Sequence, residues 1–528
     1  MKINEKSKIV FVFLAVIVAI GFISVFSYLH GRQWIDSDHS SEMILGKLLA
    51  EENALLSANW HYSTELRIVY QTIFTMPLFK LLGGFGNWAL IRSLNIALNN
   101  LVLFLAYFFL AKQMKIPEKW ILLCGLFLVL PQSLEYWNIV TFGGYYIFFI
   151  AQIFCGLGLY IALSEAPKER TSTVKRTRVY LIIFLFLSFI LGVQGIRSLY
   201  TLFLPLLLTC LYRDKKEKFS LVMSCSALVC SCAGYAVNCL LRMRYSFEAY
   251  ENMRIENLFF NLLPKLSQCV VCIAEFFGFT PGSPLLSVRG FFSIASLIGT
   301  CVLFGAVFKI FRKKEPRDKP LFLPVFFLIS VVFNVFVFVI VDKPVSSRYF
   351  IPFLVLFVPL AALFFDYAGK TYVYKKRAAF VCGITLFIVV QACLNFQSLA
   401  LTDSNSARKG YIQNIIDNKL DFGFATFWNA NVTTELSDGR VEMAGLVSGP
   451  RTGSGASPFK LLDLLIPVKY FDPSWYEGEA FLLLTSSEWD TVRRNSSFSG
   501  RAPDYEDGEF VILRYPSAKQ IYSNILGM

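Results

Sequence analysis

Histidine is nearly absent from this chain: three in 528 residues, and all three, His30, His39 and His61, fall within one short segment. Any imidazole chemistry is therefore confined to that segment. Charge is scarce as well, at 16% Asp, Glu, Lys and Arg against 55% hydrophobic residues. A water-soluble chain carries about a quarter charged residues, so this balance excludes one. Cysteine is missing after Cys393, which excludes a disulfide-stapled domain at the C-terminal end. Most of the twelve cysteines, among them Cys124, Cys155, Cys210, Cys225 and Cys382, sit inside apolar runs, where a thiol packs as a small hydrophobe.

What the sequence has instead is a series of apolar runs of the length a hydrocarbon core about 30 Å thick demands of a helix. They read as spans at 9–28, 88–111, 120–134, 144–163, 179–193, 197–212, 219–240, 290–311, 320–341, 349–366 and 377–396. The first run follows Lys2, Lys6 and Lys8, as a signal peptide would, but no small-x-small cleavage site precedes the polar stretch. It reads as a retained helix. The net charge of +13 does not point to nucleic acid, because half of the fifty Lys and Arg gather in six short segments: the N-terminus, 112–119, 168–178, 213–218, 309–319 and 370–377. Eleven crossings with the N-terminus cytoplasmic put every one of these loops inside. The predicted fold class is an α-helical polytopic membrane protein of about eleven transmembrane helices with a small extracytoplasmic α/β domain at its C-terminal end. Residues 1–396 form the membrane domain, with large outer loops at 29–87 and 241–289, and 397–528 the outer domain. Apolar segments 67–82 and 257–278 would spoil the charge pattern as spans and are expected to lie in the interface.

The tail turns polar after Phe396. Leu420–Phe427, Arg440–Leu446, Ala480–Thr485 and Glu509–Tyr515 read as strands, with a helix starting near Asn429. It carries no metal or nucleophile motif. The Cys269–Cys272 C-x-x-C has no second pair and no histidine nearby, and reads as packing. An outer domain without disulfides fits a bacterial owner.

The stretch Trp34-Ile35-Asp36-Ser37-Asp38-His39-Ser40-Ser41-Glu42-Met43 follows the first apolar run directly. Apolar residues at 44, 45, 48, 49, 55 and 56 mark one face of a helix over 43–56, expected to lie on the outer leaflet. One reading of the motif is structural: Asp38 or Ser40 caps that helix and Asp36 is solvated. A second is a divalent metal held by Asp36, Asp38, His39, Glu42 and His61, although adjacent Asp38 and His39 are not a helical i, i+4 ligand pair. A third is transport: eleven helices could pass a lipid-linked saccharide, yet transporters place polar groups at the midplane, and here they gather at the outer face.

A first membrane helix, an acidic motif within about ten residues of its outer end, then an interfacial helix resembles the GT-C superfamily of membrane glycosyltransferases, which includes protein O-mannosyltransferases and aminoarabinose transferases. Those enzymes often read Asp-Glu where this chain reads Asp38-His39. Ser347-Arg348-Tyr349-Phe350-Ile351-Pro352 resembles the Arg-Tyr-x-x-Pro stretch of the bacterial branch, and Phe424 to Asn431 is similar to tail segments of bacterial relatives. The resemblance implies sugar transfer from a polyprenyl-phosphate donor, with inversion, to an envelope glycan, glycolipid or protein, at the outer face of a bacterial plasma membrane and with no required cofactor. It implies that Asp38 is the catalytic carboxylate, assisted by Asp36, and that Arg348, Tyr349, Arg197, Arg67, His39, His61 and Glu42 bind substrate. A carboxylate can take the acceptor's proton, and cations can meet the departing phosphate. The arginines expected on the outer side are Arg67, Arg92, Arg197, Arg242, Arg244, Arg254, Arg289 and Arg348.

Overall fold

The computed structural model describes residues 5–64, 66, 68–164, 171–213, 217–247, 258–312, 321–340, 345–351, 355–371, 374–448, 457–498 and 500–528. In chain order its helices are α1 (Glu5–His30), α2 (Ser37–Glu52), α3 (Thr72–Leu82), α4 (Trp88–Gln113), α5 (Glu118–Val129), α6 (Leu134–Tyr136), α7 (Ile147–Ser164), α8 (Thr171–Gln194), α9 (Leu204–Arg213), α10 (Lys218–Leu241), α11 (Leu258–Phe276), α12 (Val288–Arg312) and α13 (Phe322–Ile340). They continue with α14 (Phe357–Thr371), α15 (Tyr374–Leu401), α16 (Arg408–Asp417), α17 (Phe427–Leu436) and α18 (Ser486–Val492). The chain forms two compact units: Met1–Ser24 with Ile96–Leu240 and Tyr250–Leu399, and Val25–Asn95 with Leu241–Ala249 and Ala400–Met528.

The first unit is apolar inside and out. Along α1, Phe11 and Val18 are 63% and 71% exposed, which water would penalise and lipid does not. Seven helices among the described residues are long and apolar enough to cross a membrane, or eight if the bent pair α5–α6 counts as one. Each of the eleven expected segments overlaps helical residues among those described, but the one at 120–134 is broken and those at 199–213, 288–302 and 357–366 are short.

The expected span 120–134 is not one helix. α5 stops before Pro131, the chain bends by 82°, and α6 restarts under a Ser133 cap and runs into a π turn over Trp137–Thr141. Proline removes a donor and blocks the preceding turn. The carbonyls freed at the break are met by Asn395 Nδ2 on Pro131 O (3.0 Å) and Gln391 Nε2 on Gln132 O (3.2 Å), as a low-dielectric setting requires. Likewise 197–212 opens as a π turn, Leu199–Phe203, before Pro205 in α9. α8 and α10 meet at two glycines: a Cβ on Gly192 would lie 2.0 Å from Ser231 O, and one on Gly234 2.1 Å from Phe189 O. Close backbone approach through small residues is how membrane helices pack.

The second unit is built from three stretches of chain. Its six-stranded sheet runs β5 (Phe459–Leu461), β4 (Glu442–Ser448), β3 (Phe422–Thr426), β6 (Ala480–Thr485), β8 (Phe510–Tyr515), β7 (Tyr505–Glu506), with β4, β3 and β6 parallel. Alternation splits its core: Phe422, Phe424, Leu482 and Leu513 face one layer, and Ala425, Met443, Phe481 and Leu483 the other. The four predicted strands and the helix near Asn429 are all present. β5, β7 and α16 were not foreseen.

The compact units cut the chain differently from the boundary expected at 396/397. The first loop folds with the tail: Leu465 N–H donates to His61 O (2.8 Å), His61 N–H to Ile466 O (2.9 Å) and Val468 N–H to Asn59 O (2.9 Å). β1 (His61–Tyr62) pairs in parallel with β2 (Ser246–Phe247), drawing in the second loop. The helix expected over 43–56 begins six residues earlier. It is not one-sided either, because α3 and α17 both pack on it and Ser37 and His39 to Leu45 are all buried.

Candidate functional site

The acidic motif sits at the start of α2. Its cap is Asp36, not Asp38 or Ser40 as the structural reading of the motif had it: Asp36 has extended backbone, and its Oδ1 accepts the His39 N–H at 2.9 Å. The Asp36 N–H donates back to His39 Nδ1 at 3.4 Å, which closes a reciprocal capping box, and Nδ1 lies 2.8 Å from the same carboxylate oxygen. Burial alone would raise the Asp36 pKa. The His39 imidazole, its ring and backbone hydrogen bonds and the Arg92 charge reverse that and hold it at about 2. Asp38 stands in the first turn, half-buried, and its carbonyl accepts Ser41 Oγ–H at 2.7 Å. Glu42 is buried one turn on.

Arg92, 5% exposed at the start of α4, forks onto Glu435 of α17, Nε to Oε1 and Nη2 to Oε2, both at 2.6 Å. Nη2 also donates to His39 O at 3.0 Å. Arg32 pairs with Asp438 and donates to Leu436 O at 3.2 Å, and Asp438 accepts the Trp88 N–H at 3.0 Å. A water-sized cavity of about 10 Å³ lies between these pairs, lined by Ser27, Gly31, Arg32, Ile35, Ala89, Arg92 and Glu435. The sequence marked Arg92 as one arginine among eight and passed over Glu435 and Asp438, because nothing local in a tail helix signals a partner 343 residues away.

His61 lies apart from this pair of contacts. Its Nδ1 is 2.8 Å from Ser246 Oγ, its ring packs on Phe471 at 4.8 Å, and its Nε2 is buried with no hydrogen-bond partner among the described residues. Burial pushes this imidazole below its ordinary range against the pull of Asp463. Burial likewise raises the neighbouring Tyr62 hydroxyl to about 12, with Glu52 and Glu42 adding to the effect. Arg242 Nη2 donates to Thr64 O at 2.6 Å. Among the described residues no group of three or more His, Cys, Asp or Glu is placed to hold a metal.

Arg348, Tyr349 and Arg197 belong to the first unit. Arg348 is exposed on a short 3-10 turn, Ser347–Tyr349, rather than at a helix start; its guanidinium lies 5.2 Å over the Tyr349 ring. Tyr349 stacks on Phe338 at 4.8 Å. The preceding Ser347 donates through Oγ to Glu135, an acid on α6 that the sequence reading missed. The break at Pro131 and the Ser133 cap were the available signals. Arg197 follows α8 and lies 5.0 Å over Tyr146. Arg67, Arg254 and Pro352 lie outside the described residues.

A unit of apolar helices, seven of them among the described residues long enough to cross a membrane, an acidic loop after the first helix and a mixed sheet define an integral membrane protein with an additional α/β sheet unit. The chain has the fold of the ArnT of Cupriavidus metallidurans in its apo state, with a TM-score of 0.58 at 13% identity, covering 95% of this chain and 97% of that one. The same protein bound to undecaprenyl phosphate superposes with a TM-score of 0.54 at 13% identity over 94% and 97%. No family model and no curated protein matches the sequence.

Proposed function

We propose that this protein is a glycosyltransferase that moves a sugar from a polyprenyl-phosphate donor to a cell-envelope acceptor at the outer face of a bacterial plasma membrane. The observation that carries the reading is Asp38: a half-buried carboxylate in the first turn of α2, eight residues after His30 ends the first membrane helix, in a chain with an ArnT-like fold over 95% of its length. The bound undecaprenyl phosphate of one structural neighbour supports a lipid-phosphate donor.

In this reading the donor's lipid lies in the bilayer and its phosphate–sugar bond at the surface. Asp38 accepts the acceptor's hydroxyl proton as that oxygen attacks the anomeric carbon. The leaving polyprenyl phosphate departs as a stable anion, so cations rather than a general acid serve it. Arg348 and Arg197, with Tyr349, are its candidate partners, and Arg67 is a further one. Asp36 keeps its charge and holds the helix start; His39 and Glu42 shape the loop around Asp38, and neutral His61 serves as a hydrogen-bonding wall. Transfer inverts the anomeric centre in this single displacement.

The test is a donor screen. Purified protein in lipid nanodiscs is given a panel of polyprenyl-phosphate sugars, and release of polyprenyl phosphate is scored. Release with one sugar, abolished in Asp38→Asn, supports the proposal. Movement of intact lipid-linked sugar across vesicles without release would make the protein a transporter instead.

A further inference from the structure

We infer that tail helix α17 positions the acidic loop, with Glu435 as the positioning residue, acting through Arg92 and His39 on Asp36 and Asp38. The inference rests on the reading of that loop as catalytic, and it assigns the tail a task inside the site.

The contacts run in one direction. Glu435 is 4% exposed and takes both of its oxygens to Arg92. The remaining reach of Arg92 Nη2 goes to the carbonyl of His39, the residue after Asp38. The His39 N–H then donates to Asp36 Oδ1, and the Asp36 N–H donates back to His39 Nδ1. Three further tail groups grip the same loop. Asn405 Nδ2 donates to Arg32 O (2.8 Å) and Ile35 O (2.9 Å), Ser37 Oγ donates to Phe427 O, and Asp438 pairs with Arg32. Residues 32, 35 and 37 are thus tied directly to the tail and residue 39 through Arg92, and Asp36 and Asp38 lie between the ties.

A staple needs no such chemistry; apolar packing of equal volume holds a helix as well as a buried ion pair does. What a fork onto a carboxylate adds is direction, because the planar guanidinium fixes where its third contact points. Direction is what a reacting carboxylate needs, since a displacement near 1 Å costs about 100-fold in rate.

The test uses the full chain in nanodiscs. Glu435→Gln keeps the shape and removes the charge; Asn405→Ala is the second arm and leaves no charge buried. Amide hydrogen exchange is read at 37–42 and, as a reference, in β3 and β6. The expected result is about tenfold or faster exchange at 37–42 with β3 and β6 unchanged, a kcat lower by about 10–100-fold, and a donor KM within about threefold. Glu435→Asp is expected to recover part of both. Unchanged protection at 37–42 in folded Glu435→Gln and Asn405→Ala would overturn the inference. So would exchange that rises equally in β3 and β6, which would make the pair a general staple. A loosened loop together with full turnover in Asp38→Asn would refute the catalytic reading and leave Glu435 a positioning residue.

Discussion

Asp36 Oδ1 accepts the His39 backbone N–H at 2.9 Å, and the Asp36 N–H donates back to His39 Nδ1 at 3.4 Å. One residue thus supplies both halves of the cap on α2. The anion is stabilised in the folded state, with a pKa of about 2 against an ordinary value of about 3.9. A depressed carboxylate contributes stability that is fully present above the unfolded pKa and is lost as pH falls through the folded one. The melting temperature of wild type minus that of Asp36→Asn should therefore be constant above about pH 4 and shrink between about pH 4 and pH 2. A difference that does not change across that window would mean the carboxylate is not held as an anion.

The Arg92–Glu435 pair separates stability from turnover. Arg92→Met leaves a buried carboxylate unpaired and should cost about 3–5 kcal/mol. Arg92→Met with Glu435→Met should regain most of that, since similar apolar volume replaces both charges. Turnover should stay low in the double variant, because the contact from Arg92 to His39 O is gone. Thermal melts beside kinetics decide it; restored stability with restored turnover would deny Arg92 any role in the loop.

Gly192 has no room for a side chain. Gly192→Ala must push α8 and α10 apart, at about 1–3 kcal/mol for overpacking. Gly299 in α12 has nothing within 4 Å of its would-be Cβ, so Gly299→Ala should be neutral or slightly stabilising. Melting temperatures in nanodiscs test the contrast, and equal effects would contradict the close approach.

Arg348 is exposed on its turn, so its loss should leave the fold intact. Arg348→Ala should weaken donor binding about tenfold or more, and Arg348→Lys should not fully restore it, because lysine lacks the planar fork. Unchanged donor affinity in both would reduce Arg348 to an anchor on Tyr349.

The membrane helices were legible because hydropathy and the Lys and Arg clusters are local signals. The tail strands were legible from alternation, as Phe422 to Thr426 and Ala480 to Thr485 show. The breaks at Pro131 and Pro205 were written in the sequence but overridden by run length. The cap was misassigned between Asp36 and Asp38, since both carboxylates fit and only backbone geometry separates them. Glu435 and Asp438 were invisible for a different reason: their partners, Arg92 and Arg32, are hundreds of residues away, and periodicity carries no information about such pairs. The folding of the first loop with the tail follows from those same pairs and was equally hidden.

The central claim is that Asp38 is the reacting base. Asp38→Asn keeps the size of the side chain and leaves the cap untouched, because Asp36 carries it. Turnover of a polyprenyl-phosphate sugar by Asp38→Asn, measured beside its melting temperature, tests the claim most directly. The account predicts an unchanged melting temperature and a rate lower by about 10²–10⁴-fold, roughly 3–5 kcal/mol of barrier. Wild-type turnover in the folded variant would contradict it.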